Sequence, residues 1–338
     1  MGALDIFRSD AFSVRSLTNA INKVPPSFSY LGDIEGLFGK VSCSTTTTMV
    51  EERNGQIALV GNSPRGTKGE TLPRDQRKMR AFVVNHKQLN DEIKADQIQN
   101  QRLFGSEIEF ETAQTVMNDK LVMMARSIET TIEWMRLGAV KGQVLDADGS
   151  VLHDMFEEFG QTKRTKSLKA SVSTDDGSIK KFCSEVIRST RKKLGDTKIN
   201  GIHLLCGDEI FDAIENSAEV KNANKWRNNS DFLVDSHAFR YFEFGGIRFV
   251  NYVAWVGDKD FIDPEKAHLL PICEDAIFSE IYGPGDYMET VNTPGLKYYA
   301  KQEVQRMDKG IDVEAQSNPL VLCTRPGALL EVTLDSTT

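Results

Sequence analysis

No stretch of the chain approaches the roughly 20 consecutive apolar residues a membrane-spanning helix needs. The opening MGALDIFRSD carries acids where a secretory signal needs an apolar run, so neither a bilayer anchor nor a leader is expected. Cysteine is scarce: the five in 338 residues (Cys43, Cys183, Cys206, Cys273, Cys323) form no CxxC pair and are odd in number. A disulfide framework and a structural zinc site are therefore not expected, and a reducing compartment such as the cytoplasm fits. Positive charge is in deficit, 41 Lys+Arg against 49 Asp+Glu for a net −8. The chain as a whole is thus no high-affinity duplex binder, because such affinity rests on neutralising phosphates; local basic patches could still meet DNA. P-loop, GxGxxG, HExxH and GxSxG patterns are missing. The histidines at 86, 153, 203, 237 and 268 offer no i,i+4 metal pair. No solenoid-length repeat is visible.

What is present suits a sizeable core, since 40% of residues are hydrophobic and 27% charged. Residues 1–40 mix polar and apolar positions with turn formers and show no clean helix, as an arm lying on something else would. Residues 41–60 read as a hairpin turning at Asn54-Gly55, with QIALV as the return strand. The segment 61–80, GNSPRGTKGETLPRDQRKMR, has almost no apolar residues and six basic ones: Arg65, Lys68, Arg74, Arg77, Lys78 and Arg80. It cannot bury a core of its own; a loop this long is either a solvated linker or functional. Residues 86–104 read as a helix carrying Leu89, Ile93, Ile98 and Phe104. A capping box at Ser106 and Glu109 opens a second helix. Its stripe is Phe110, Ala113, Met117, Leu121, Met124, Ile128, Ile132 and Met135, with Gly138 as its end. A hairpin at Asp148-Gly149 and a solvated connector, QTKRTKSLK, follow. From about 171 the texture is regular α/β: helix 178–194 with a basic last turn and a glycine stop, strand GIHLLC, a helix N-capped by Asp208, strands around Gly245-Gly246, then AHLLPI and further strands from Tyr298 to Leu334.

The chemical inventory is thin. Cys206 ends a strand before a helix, where a nucleophile could sit, but a buried structural thiol is the commoner case. Glu157-Glu158 and Asp175-Asp176 are adjacent, so their side chains diverge and read as solvated faces rather than an acid/base couple. Asp146-Ala147-Asp148-Gly149 lacks the further ligands of a calcium loop and reads as a β-turn. Trp226 and Arg227 lack the pattern of a nucleic-acid stacking platform. No catalytic, cofactor or metal site is expected. An arm, a long basic loop, a very long helix and a compact α/β part instead suggest a shell-forming protein whose neighbours complete its extended segments.

The segments ETVNTPG (Glu289–Gly295), YYAKQ (Tyr298–Gln302), Lys309-Gly310 and QSNPLVLCTRP (Gln316–Pro326), with RYFEFGGIRFVNY at 240–252, carry a resemblance to the phage major capsid protein E family, to which the phage lambda major head protein belongs. Gly283-Pro284-Gly285 departs from the alanines that many members place around this proline. The resemblance implies an α+β, Hong Kong 97-type capsid fold with an N-terminal arm (1–40), peripheral-domain strands (41–56) and an extended loop (57–85). It further implies a peripheral domain (86–177) with spine helix 106–138, an axial domain (178–290) and returning core strands (291–338). It implies a major capsid protein that self-assembles, as pentamers and hexamers, into an icosahedral shell around the double-stranded DNA of a tailed phage. Scaffolding, portal and decoration proteins are the implied partners. Assembly in the host cytoplasm, location in the virion capsid and no membrane contact follow. The six basic residues of 61–80 are the inter-subunit contact candidates. The rivals are an encapsulin-like compartment shell and a soluble cysteine-dependent α/β enzyme.

Overall fold

A computed structural model describes residues 13–24, 29–52, 78–94, 113–170, 175–225, 234–235, 240–256 and 259–335. In chain order the elements begin with α1 (Val14–Ile21), a single turn α2 (Tyr30–Asp33), β1 (Phe38–Ser42), β2 (Thr47–Glu52), β3 (Lys78–Val83) and β4 (Lys87–Lys94). The long helix α3 (Ala113–Lys141) is followed by β5 (Gln143–Leu145), β6 (Val151–Asp154), α4 (Met155–Glu158) and β7 (Thr165–Leu168). Then come α5 (Ser178–Leu194), β8 (Ile199–Cys206), α6 (Asp208–Glu215), α7 (Ala218–Lys225), β9 (Val234–Asp235), β10 (Arg240–Phe244), β11 (Ile247–Asn251), β12 (Trp255–Val256) and β13 (Lys259–Asp260). The chain finishes with β14 (Lys266–Cys273), β15 (Phe278–Tyr282), β16 (Tyr299–Val304), β17 (Gly310–Ser317), β18 (Pro319–Cys323) and β19 (Glu331–Leu334). Helices and mixed sheets together make the α+β class.

A seven-stranded mixed sheet is ordered β7-β19-β14-β8-β11-β10-β9, and its central strands β14, β8 and β11 are buried on both faces. The strand period of two sorts its side chains. Leu204, Phe249 and Leu269 face α5 and α6, whereas Leu205, Val250 and Leu270 face the cluster that holds the end of α3. β7, at one edge, and β19, beside it, come from outside residues 178–290. A second sheet, β16-β17-β4, lays Ile93, Ile311, Val313 and Ala315 against Met117, Leu121, Met124, Ile128 and Ile132 of α3. The stripe anticipated along α3 is therefore core from Met117 to Met135, and Phe110 lies outside the described residues. The helix spans 29 residues, about 44 Å at 1.5 Å per residue. A third sheet, β1-β15-β18, packs against Met135, Leu137 and Val140 near the same helix's end.

Several expectations are corrected. Gly138 does not end α3. An added Cβ there would lie 2.9 Å from the Gln143 carbonyl oxygen and from Val144 Cα, so glycine lets β5 double back against the helix. Gly142, at φ +85°, makes the stop. Residues 87–94 form a strand, paired with β17 from Lys87↔Ser317 to Lys94↔Gly310, not a helix. Leu89 and Ile93 are four apart, a spacing that fits one helix face and one strand face equally. β2 pairs with Lys78–Val83, and β1 pairs in parallel with β15. The anticipated turn Asn54-Gly55, the QIALV strand, the capping box Ser106/Glu109, Trp226 and Arg227 lie outside the described residues. The connector near 165 contains β7, parallel to β19 and anchored by the buried Leu168. Residues 1–40 do hold a helix: α1 buries Leu17 and Ile21, and its Thr18 Oγ1 accepts the Ala300 N–H at 3.2 Å. Gly207, not Asp208, is the N-cap of α6.

Candidate assembly surfaces and a buried ionic hub

Of the six predicted contact residues, Arg65, Lys68, Arg74 and Arg77 lie outside the described residues. Lys78 opens β3. Arg80 is half-buried, with its guanidinium carbon 5.0 Å from the centre of the Phe159 ring. Part of Arg80's role is thus inside its own subunit. The β2–β3 ribbon has two unlike faces. Val50 and Phe82 point to the core, while Met49, Met79 and Val83 are each more than 60% exposed. An outward apolar face of this kind on a two-stranded ribbon is one that a second surface would stabilise.

The outer face of β16-β17-β4 is acidic. Register places Asp312 between Glu303 and Glu92, and Glu314 between Lys301 and Asn90. Like charges directly opposite one another across a sheet are unfavourable. Here Gln305 Nε2 donates to Asp312 at 2.6 Å and to Glu92 at 3.3 Å, and Lys94 pairs with Glu92 at 2.6 Å. Four carboxylates on one face leave it negative after these contacts.

The candidate nucleophile is inert. Cys206 is fully buried, its Sγ donates to the Leu204 carbonyl at 3.4 Å, and burial pushes its thiol well above the ordinary range. Asp146 is an ion-pair partner of Lys87 at 2.5 Å, and Gly149 N–H donates to the Asp146 carbonyl at 3.0 Å, so the DADG stretch is a turn braced by β4. Asp176 accepts the Ser178 N–H at 3.0 Å at the start of α5, a capping role.

At the centre lies a constellation that the sequence reading missed. Arg136 of α3 is 1% exposed. Its Nη1 donates to Glu129 (2.9 Å), Glu133 (3.1 Å) and Ser29 Oγ (3.0 Å), and its Nη2 and Nε grip Glu280 of β15 at 2.8 and 3.3 Å. Glu133 also accepts the Leu31 N–H at 2.7 Å and the Tyr252 hydroxyl at 3.0 Å. Glu129 accepts Lys297 at 2.5 Å and the Tyr298 hydroxyl; Glu280 accepts that of Tyr282. Five separate chain segments meet here. Burial works against the Arg136 charge, but Glu280, Glu129 and Glu133 outweigh it and hold its proton more tightly than usual. Burial pushes Glu133 up and wins. At Glu129 burial also pushes up, but Arg136 and Lys297 overcome it and hold the carboxyl low. Gly32 belongs to the hub, since a Cβ there would stand 2.1 Å from Ser29 Oγ and 2.6 Å from Arg136 Nη1. A signal existed in the sequence: 129, 133 and 136 each follow a stripe position (128, 132, 135), so charge intrudes on the buried side.

The C-terminal motifs prove to be clamps. Asn318 Nδ2 donates to the Pro284 carbonyl at 2.6 Å and Gln316 Oε1 accepts the Asp286 N–H at 2.9 Å, which fixes the Gly283-Pro284-Gly285 loop. Gly295 of ETVNTPG passes so close to Tyr282 that an added Cβ would sit 2.1 Å from its carbonyl oxygen.

This architecture is that of shell-forming proteins. A crystal structure described as that of a prophage capsid protein from E. coli CFT073 matches with a TM-score of 0.55 at 13% identity, over 95% of this chain and 99% of that one. The SrpI encapsulin of Synechococcus elongatus PCC 7942 matches with a TM-score of 0.50 at 9% identity, over 94% and 90%. The fold is thus the Hong Kong 97-type, which by itself does not separate a virus shell from a compartment. Sequence does. The model of the family "Phage major capsid protein E" matches residues 13–334, and the chain belongs to that family. It is similar to the major capsid protein of Salmonella phage Felix O1, 26% identical over 365 residues, covering 96% of this chain and 97% of the relative. The chain is a capsid shell protein of the virion, and among the described residues no helix is long and apolar enough to cross a membrane.

Proposed function

We propose that the chain is the repeating unit of an icosahedral head shell, grouped in pentamers and hexamers, that encloses double-stranded DNA and performs no catalysis. The observation that carries this reading is charge opposition within one chain. The six-cation segment 61–80 has no core of its own, and the β16-β17-β4 sheet turns four carboxylates outward. Each exposed pair contributes at most about 1 kcal/mol, so such contacts matter only when repeated over many copies. In this reading residues 1–40 are the arm, 41–56 peripheral strands, 57–85 the extended loop, 86–177 the peripheral domain, 178–290 the axial domain and 291–338 the returning strands. Scaffolding, portal and decoration proteins are its partners, and assembly takes place in the host cytoplasm. Electron microscopy of the purified full chain tests the proposal. Closed shells are expected; small oligomers at every concentration and salt would refute it. Expression without other phage proteins, followed by cargo analysis, tests the compartment alternative, for which a co-purifying enzyme would speak.

A further inference from the structure

The helix α5 is the outer layer over one face of the seven-stranded sheet. Its inner side buries Ile179, Phe182, Cys183, Val186, Thr190 and Leu194. Its outer side exposes Lys180, Lys181, Arg188, Arg191, Lys192 and Lys193, six cations on a chain of net −8. None of the six is in a salt bridge with a described residue, whereas the one acid among them, Glu185, is taken by Lys166 of β7. At about 100° per residue, all but Lys193 fall in a sector about 120° wide and about 18 Å long.

Helix stability explains only part of this. Cations in the last turn complement the macrodipole, which accounts for Arg191, Lys192 and Lys193. Lys180 and Lys181 sit in the first turn, where the dipole disfavours positive charge and where α5 has no acid of its own. Glu219 of α7 instead caps that end, accepting the Ile179 and Lys180 N–H groups at 2.9 and 3.0 Å. The stripe also lacks what a protein partner would use, because none of the large exposed hydrophobic residues lies on α5. Protein interfaces have apolar centres depleted in lysine; polyphosphate surfaces are made of Lys and Arg. One strand of a duplex places a phosphate about every 3.4 Å along the axis, so an 18 Å stripe faces about five of them.

We propose that the outer face of α5 binds the phosphate backbone of double-stranded DNA without reading its sequence. The inference rests on the DNA-enclosing shell reading and gives that reading a contact surface. The acidic remainder of the chain repels DNA and confines contact to this stripe, so each contact is weak and salt-sensitive.

The test substitutes Lys180→Gln, Lys181→Gln, Arg188→Gln and Lys192→Gln together. Glutamine keeps helix propensity, and Arg191 and Lys193 remain for the dipole. Full-length unassembled subunit is titrated with a fluorescent random-sequence duplex over a range of salt. Wild type is expected to bind at low salt. The log affinity against log salt slope should become shallower in the variant by about 3 to 4, at about 0.9 per phosphate contact. Equal affinity and slope in the two proteins, or preference for polyglutamate over the duplex, would overturn the proposal. So would a variant that binds duplex normally but no longer assembles, because the stripe would then be a contact between copies. Electron microscopy of the same preparations separates the two readings. If wild type closes no shells, the shell reading fails; if both proteins close normal shells and bind duplex equally, only the α5 assignment fails.

Discussion

Replacing Arg136 with Met removes the cation that holds the hub together while filling a similar volume. The wild-type hub sets two cations, Arg136 and Lys297, against three buried carboxylates, Glu129, Glu133 and Glu280, for a net −1. The substitution makes it −2 and leaves Lys297 touching Glu129 only. Taking one partner from a buried ion pair costs about 3–5 kcal/mol, because the other charge stays buried. A loss of about 4 kcal/mol at pH 8 is expected, a factor of about 10³ in the folded ratio at 1.36 kcal/mol per tenfold. The pH dependence follows from the shifts. Glu129 is held low in the native state, so its contribution is present above its unfolded pKa and is lost as pH falls through the lower folded value. Glu133 is raised, so its contribution is complete at low pH and is lost as pH rises through its folded value. Without Arg136 the lowering at Glu129 weakens, the hub carboxyls take up protons more readily, and the deficit of the variant shrinks as pH falls from 8 toward about 5. Urea unfolding of the unassembled subunit, followed by tryptophan fluorescence, measures this. A midpoint drop of about 1 M or more is expected for an m-value of about 3 kcal/mol/M. A deficit below about 1 kcal/mol at pH 8, or one that grows with acid, would refute the reasoning.

Gly138→Ala gains about 1 kcal/mol of helix propensity, but its Cβ meets backbone at 2.9 Å that cannot turn aside; overpacking costs about 1–3 kcal/mol. Net destabilisation and a lower Tm by calorimetry are expected, and a raised Tm would contradict the close approach. Cys206→Ala should leave shells intact apart from a packing cost, and Cys206 should resist thiol reagents until the subunit unfolds; rapid labelling of the native chain would count against its burial. Reversing Arg65, Arg74 and Arg77 to Glu, with Arg80 left on Phe159, should give a folded subunit by circular dichroism that closes no shells. Wild-type assembly should weaken with salt over a screening length of about 8–10 Å. Normal shells from the triple variant would make these charges a solvated face.

Elements whose signal is local were legible in the sequence. The α3 stripe repeats for long enough to exclude other periods, and α5 announces itself by its basic last turn and its stop at Gly195. The β10–β11 turn has its Gly245-Gly246 pair at positive φ. What failed depends on partners distant in sequence. β4 is a strand because β17, more than 200 residues away, supplies its ladder; alone, its pattern fits either period. β7 is strand only because β19 lies beside it. Gly138 is the local exception: it looks like a stop until β5, which follows the helix directly, is seen folded back against it.

The proposed assembly surfaces divide along the same line. The basic segment 61–80 could be read directly, because a run of cations with almost no apolar residues has one composition wherever it lies. The acidic face could not, since Glu303, Asp312 and Glu92 become neighbours only through the register of three strands. The hub is the extreme case, with Glu280 reaching Arg136 across 144 positions of sequence. Its charges tie segment 29–31, α3, Tyr252, β15 and the Lys297-Tyr298 turn at one point, with directional bonds where an apolar core would allow sliding. Buried ion pairs contribute little net stability against apolar packing of the same volume. Their return here is geometric: Arg136 fixes how α3, the sheet on its flank and the seven-stranded sheet meet, and in a closed shell any error in that angle would be multiplied by every copy. A replacement that removes the charges of Arg136 and its three carboxylates, Arg136→Met with Glu129→Gln, Glu133→Gln and Glu280→Gln, therefore separates the two roles. It is expected to recover much of the stability lost in Arg136→Met yet to give misshapen or heterogeneous particles by microscopy. Uniform shells of wild-type size from that variant would show that the hub serves the subunit's fold alone.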